Sequence, residues 1–128
     1  MADDRFRPHF DPVRRRLTIV YAGFWTVPDA IEMQGRLAEA LEAAGRHGPF
    51  TLLDDLRAWP TQSREVVAVI MGYADLVQAA PFRRNATVVP GALVRMQVGR
   101  TVGNLANCRL FDAIAPAAQW LAEVEPTD

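Results

Sequence analysis

At 128 residues the chain suits one domain with a single substantial core and is too short for two. Half of its residues are hydrophobic, 23% are charged and the formal net charge is -1. That balance is the one of an ordinary globular protein, and it excludes a whole-molecule field that would draw the protein to nucleic acid or anionic lipid.

The opening MADDRFRPHF is charged and lacks the apolar core of a secretory signal. No apolar run approaches ~18 residues, so no spanning helix is expected and the cytoplasm is the expected compartment. RFRPHF and RRRLTIVYAG are joined by Asp11-Pro12, a turn signal. Leu17, Ile19 and Tyr21 alternate with Thr18, Val20 and Ala22, so the pair reads as two antiparallel strands, the first weak and at an edge.

Thr26-Val27-Pro28-Asp29 starts a helix: Thr26 can cap, Pro28 suits the first turn and Asp29 can complete a capping box. Ile31, Leu37, Leu41 and Ala44, with Met33 or Gln34 between them, keep helical spacing as far as Gly45. PFTLLDDL, residues 49–56, is a short apolar run closed by acids and reads as a central strand. RAWPTQSR follows as a loop, and Thr61 or Ser63 can cap the next helix, residues 65–78, which Pro81 stops.

That helix is unusually apolar, carrying Val66, Val67, Val69, Ile70, Met71, Tyr73, Leu76 and Val77. One packing face needs a stripe of about 100°. The surplus means burial on two sides, a second subunit or a greasy ligand, and a homodimer contact is the reading preferred. NATVVP, residues 85–90, reads as another buried strand, and residues 91–108 as a helix with Val94, Val98 and Val102 on one face. CRLF gives a last strand, and DAIAPAAQWLAEVE a last helix with Trp120 and Leu121 inward. The end segments 1–4 and 125–128 are expected to fray. The order β-β-α-β-α-β-α-β-α predicts a single α/β domain over residues 1–128: a mixed five-stranded open sheet, parallel in its centre, with four helices.

Asp54 and Asp55 are neighbours on a strand, so they point to opposite faces and cannot form an acid/base pair. Asp55 can pair with Arg57 or contact a ligand, because open α/β sheets bind ligands beyond the carboxyl ends of their strands. Ser63 reads as a helix cap, or as a hydroxyl placed where anions are favoured. One cysteine, Cys108, excludes an internal disulfide and a multi-cysteine zinc site, and beside an apolar strand it reads as an inert buried thiol. With His9 and His47 far apart, no metal site, cofactor site or nucleophile with a base can be assembled. GRTVGN, residues 99–104, lacks the Gly-Lys-Ser/Thr of a phosphate loop. Between Leu76 and Phe111 lie Arg83, Arg84, Arg95, Arg100 and Arg109 and no acid, which makes either a solvated face or a surface for an anionic partner. Nucleic acid is not expected, because the aromatic interleaving of a strand-binding surface is missing.

Four segments carry a family resemblance: YAGFWTVPD before the first helix, FTLLDDLRAW at the central strand, RNATVV at the fourth, and LFDAIAPAAQWL at the end. In order and spacing they resemble the SpoIIAA-like proteins of STAS fold, which are related in shape to anti-sigma-factor antagonists and SEC14-type lipid-binding domains. In the last segment Phe111, Ala117, Trp120 and Leu121 match the family's spacing. The resemblance implies a non-enzymatic domain. Anti-sigma-factor antagonists carry, after the central strand, an Asp-Ser followed by Gly, the Ser being phosphorylated by a partner kinase. The equivalent stretch here is WPTQSRE, with Ser63 in approximate register and neither the Asp nor the Gly.

Two functions are therefore expected of different classes. The first is a regulatory or protein-interaction domain, homodimeric, working through Asp55, Arg57, Thr61, Ser63 and Arg64. The second is a SEC14-like carrier of a small amphipathic ligand, with helix 65–78 lining the pocket and Arg83 or Arg84 holding an anionic head.

Overall fold

The structure, a computed structural model, describes residues 2–89, 91–102 and 106–126. Asp11 turns the chain: its Oδ1 accepts from the amides of Val13 (2.9 Å) and Arg14 (3.2 Å). Strand β1 (Phe6–Asp11) thereby folds back antiparallel on β2 (Arg16–Ala22). Strands β3 (Phe50–Ala58), β4 (Phe82–Val88) and β5 (Cys108–Phe111) follow in parallel, and the sheet runs β1-β2-β3-β4-β5. The edge position of β1 tolerates Pro8, which has no N–H to give the ladder. The expected mixed sheet is present, with β3 at its centre.

Parallel neighbours need crossovers, and right-handed crossovers advancing in one direction lay their helices on one face. Helices α1 (Val27–Gly45), α2 (Arg64–Ile70), α3 (Tyr73–Ala79) and α4 (Ala92–Val102) share one core with Leu17, Ile19, Leu52 and Leu56. Helix α5 (Ile114–Ala122) follows the last strand and covers the other face, where Ala117 and Leu121 pack on Leu53, Ala86, Val88 and Phe111. Each face of β3 is thus covered, which explains its near-continuous burial from Phe50 to Leu56.

The capping box at α1 forms as read: Thr26 Oγ1 accepts from the Asp29 amide (3.2 Å) and Asp29 Oδ2 from the Thr26 amide (2.9 Å). The inward stripe is Ala30, Met33, Leu37, Leu41 and Ala44. Ile31 lies outward instead of inward, because the stripe opens on the small Ala30, one residue earlier.

The segment expected as one helix over residues 65–78 is divided into α2 and α3 by a short break, so the described residues hold five helical segments. The break falls at Met71 and Gly72, where glycine carries a cost of about 1 kcal/mol in a helix interior. A Cβ at Gly72 would lie 3.3 Å from both Gln34 Nε2 and the Val69 carbonyl, so the close approach to α1 also favours glycine. The break lets both halves turn their apolar sides inward: Val66, Tyr73 and Val77 are buried, and Val69, Ile70 and Leu76 pack against the same core. Met71, 53% exposed, is the large apolar side chain of this segment left outside. Most of the apolar surplus that suggested a homodimer contact is thus packed within the chain, Met71 excepted.

Three boundaries also move. Strand β4 begins at Phe82 rather than 85, so Arg83 and Arg84 belong to the strand. Helix α4 is described over Ala92–Val102, residues 103–105 of GRTVGN lie outside the described residues, and Ala106 and Asn107 form a turn where helix was expected; β3 runs on to Ala58 rather than ending at 56. Near the ends, Ala2–Arg5 form a 3-10 turn, and Glu125 is buried, bound by Arg16 Nε and Nη2 (both 2.7 Å) and Thr51 Oγ1 (2.6 Å). Residues 127 and 128 lie outside the described residues.

Candidate functional site

The parallel strands bring the loops after β2, β3 and β4 to one rim, the carboxyl end of the sheet. Gln62 builds that rim. Its side chain accepts from the Trp25 amide (2.8 Å) and donates to the carbonyls of Gly23 (3.1 Å) and Pro60 (2.7 Å). Its backbone exchanges two bonds with the Gln97 side chain of α4, at 3.1 and 2.9 Å. Polar groups buried in a loop must find partners, and here one glutamine ties three loops together. The sequence reading missed Gln62; the signal was a long polar residue in a loop flanked by Trp59 and Val66, both of which are buried.

Around this clamp lie the expected residues. Asp55 grips Arg57 side-on, Nε to Oδ1 and Nη2 to Oδ2, each 2.9 Å, and accepts from the Arg57 amide at 3.1 Å. Burial pulls the Asp55 carboxyl up, but the hydrogen bonds and charge of Arg57 pull it further, leaving it below the usual carboxylate range. Thr61 and Arg64 are exposed. Ser63 is half-buried and caps α2, its Oγ accepting from the Val66 amide at 3.2 Å. Gln62 holds Phe24 and Met96 beside this loop through their neighbours in the chain, and both are exposed, at 63% and 60%. An open groove of about 460 Å³ lies at this rim, lined by Gly23, Arg57, Trp59, Pro60 and Val94.

Asp54 points to the opposite face from Asp55, as strand alternation requires, and lies at the wall of a half-enclosed cavity of about 60 Å³. The cavity sits between the sheet and α2–α3, with Leu56, Ile70, Tyr73 and Val77 as apolar lining. Asp54 is 8% exposed; Asn85 Nδ2 donates to it at 3.0 Å and the Tyr21 hydroxyl at a long 3.4 Å. Burial dominates these bonds and pushes the carboxyl up to about 6. Trp59 Nε1 is buried at the same wall with no hydrogen-bond partner among the described residues, and the buried Thr87 hydroxyl lies close enough to Asp54 to help hold its carboxylate. The volume suits ordered water rather than a carried molecule.

Arg83 and Arg84 are split by strand alternation and do not act together. Arg84 crosses α5, donating to the Trp120 carbonyl and to Glu123 (both 2.7 Å) and lying over the Trp120 ring at 4.7 Å. Arg83 is exposed at the amino-terminal rim of the sheet, and neither arginine lines the cavity under α2–α3. Burial, with a smaller push from Asp54, raises the Cys108 thiol to about 11, so it is a poor nucleophile at neutral pH. Among the described residues no three of His, Cys, Asp and Glu gather as a metal site, and no helix is long and apolar enough to cross a membrane.

Comparison with known proteins adds a fold. The anti-sigma factor antagonist SpoIIAA, in its unphosphorylated form, superposes with a TM-score of 0.61 at 13% identity, covering 93% of this chain and 98% of its own. The Thermotoga maritima protein TM1081, whose assignment as an anti-sigma factor antagonist is provisional, is similar in its crystal structure (TM-score 0.67, 11% identity, 94% and 97% covered). Its NMR structure gives a TM-score of 0.64 at 12% identity, with 91% and 87% covered. No protein-family model matches the sequence, and no curated protein does. The chain has the STAS fold of SpoIIAA.

Proposed function

We propose that the protein is a non-enzymatic regulatory module that docks a protein partner in the cytoplasm through its carboxyl rim. The observation carrying this reading is the Gln62 clamp, which ties the loop holding Thr61 to Gly23 and Trp25, the neighbours of the exposed Phe24, and to Gln97, the neighbour of the exposed Met96. A fixed loop with large apolar anchors and a charged border has the composition of a contact surface, and little ordering entropy is lost when it docks. The likeness to SpoIIAA supports a regulatory role for such a rim. A switch by phosphorylation would act at Thr61 more readily than at Ser63, whose hydroxyl already serves the helix cap.

The test is a co-purification in which wild type and two rim variants, Phe24→Asp and Arg57→Glu, are compared at equal folded concentration. A partner retained by wild type and lost from both variants is the expected outcome. Equal retention by all three proteins removes the rim from the account.

The carrier reading finds no specific support in the cavity beneath α2–α3, which is small and already furnished with a buried acid.

A further inference from the structure

The opposite rim of the sheet, where the parallel strands begin, carries a second group of basic residues. Arg14 and Arg15 stand in the β1–β2 turn, His47 and Pro49 before β3, and Arg83 at the start of β4, around a pocket of about 170 Å³ closed on its far side by Val124 and Glu125. The negative charge of Glu125 is matched by Arg16, which grips its carboxylate together with Thr51. Asp11 reaches only Arg14, at 3.8 Å. The excess is positive.

Arg15 is the unusual member. Its φ of 58° is left-handed, a region an arginine rarely adopts, and the Thr51 amide fixes the turn by donating to the Arg15 carbonyl at 2.9 Å. Its Nε and Nη2 are buried and have no hydrogen-bond partner among the described residues. This pair of donors forms one edge of the guanidinium. On Arg16 and Arg57 the same edge grips a carboxylate side-on. On Arg15 it lies against Gly48, where a Cβ would come within 2.9 Å of Nη2. Buried guanidinium donors that lack an acceptor leave their desolvation cost unrecovered. Arg15 also lines the pocket among these basic residues.

We propose that this pocket binds a phosphate-bearing ligand, with the Arg15 edge gripping two phosphate oxygens and Arg14 and Arg83 neutralising the remaining charge. Planar forked donors match the spacing of phosphate oxygens, and several uncompensated guanidinium groups suit a dianion better than a single carboxylate. The same chemistry could belong to a soluble phosphomonoester or to a phospholipid headgroup. The site lies at the opposite end of the strands from the proposed docking rim and does not depend on it.

The experiment has two arms on the full chain. Inorganic phosphate is titrated against chloride at matched ionic strength while the amide signals of Gly48 and Thr51 are followed. In parallel, the protein is sedimented with phosphatidylcholine vesicles with and without phosphatidic acid. Arg15→Gly removes the guanidinium at a backbone position that glycine adopts readily, so the fold is kept; Arg95→Gln, at the other rim, controls for net charge.

Saturable shifts that weaken about tenfold in Arg15→Gly, and stay unchanged in Arg95→Gln, are expected. Sedimentation that requires phosphatidic acid and Arg15 would assign the headgroup as the source; phosphate binding without sedimentation would assign a soluble phosphate compound. If neither arm shows binding, or Arg15→Gly binds as wild type does, the proposal is overturned.

Discussion

Asp54 and Ser63 show how much a single side chain decides in this fold. Asp54 is raised from 3.8 to about 6 by burial, so between those values the folded chain holds a proton that the unfolded chain releases. Stability from this group is therefore full below about pH 4 and is lost as the pH rises through about 6. Asp54→Asn keeps an acceptor for Asn85 and removes the buried charge. It should stabilise the protein by about 2–3 kcal/mol at pH 7 and by little near pH 3, read by denaturant unfolding across that range. A variant less stable than wild type at pH 7 would contradict this. Ser63 and Thr61 separate in the same assay. Ser63→Ala should cost about 1 kcal/mol through the lost cap of α2, whereas the exposed Thr61→Ala should stay within about 0.5 kcal/mol.

At the scale of elements, the last residues of the chain hold the sheet. The pair of Arg16 on β2 and Glu125 beyond α5 is largely buried and shares Thr51 of β3, so Glu125→Ala leaves a buried guanidinium without its partner. A loss of about 3–5 kcal/mol is expected, seen as a lower denaturation midpoint. A loss below about 1 kcal/mol would mean that Glu125 frays after all. Nothing local in EPTD announced this contact, because its partners lie 109 and 74 residues away in sequence. What the sequence displays well is periodicity: alternation in β2, the capping box of α1 and the apolar run of β3 were all legible. The division of residues 65–78 was not, because both halves continue the same apolar pattern across Gly72. The start of β4 was hidden for a related reason, since Arg83 and Arg84 mask the strand that carries them.

For the whole molecule, the order β1-β2-β3-β4-β5 leaves the sheet ends as the open parts of the fold. Four crossover helices seal one face and α5 seals much of the other, leaving the two rims as the places where loops from distant segments meet. At the carboxyl rim Asp55 was legible as the end of a central strand and Arg57, Thr61, Ser63 and Arg64 as the stretch after it, although β3 itself runs on through Arg57 to Ala58 and Arg64 opens α2. Phe24, Met96 and the Gln62 clamp were not, because only the fold brings residues 24, 62 and 96 together. Docking at this rim is the central claim, and site-specific photo-crosslinking in cells tests it directly. With the crosslinker at Thr61 or Phe24, one discrete adduct should form, and its mass will distinguish a different protein from a second copy of this chain. With the crosslinker at Glu42, on the outer face of α1, that adduct should be absent. Equal adducts from all three positions, or none from the rim, would contradict the account.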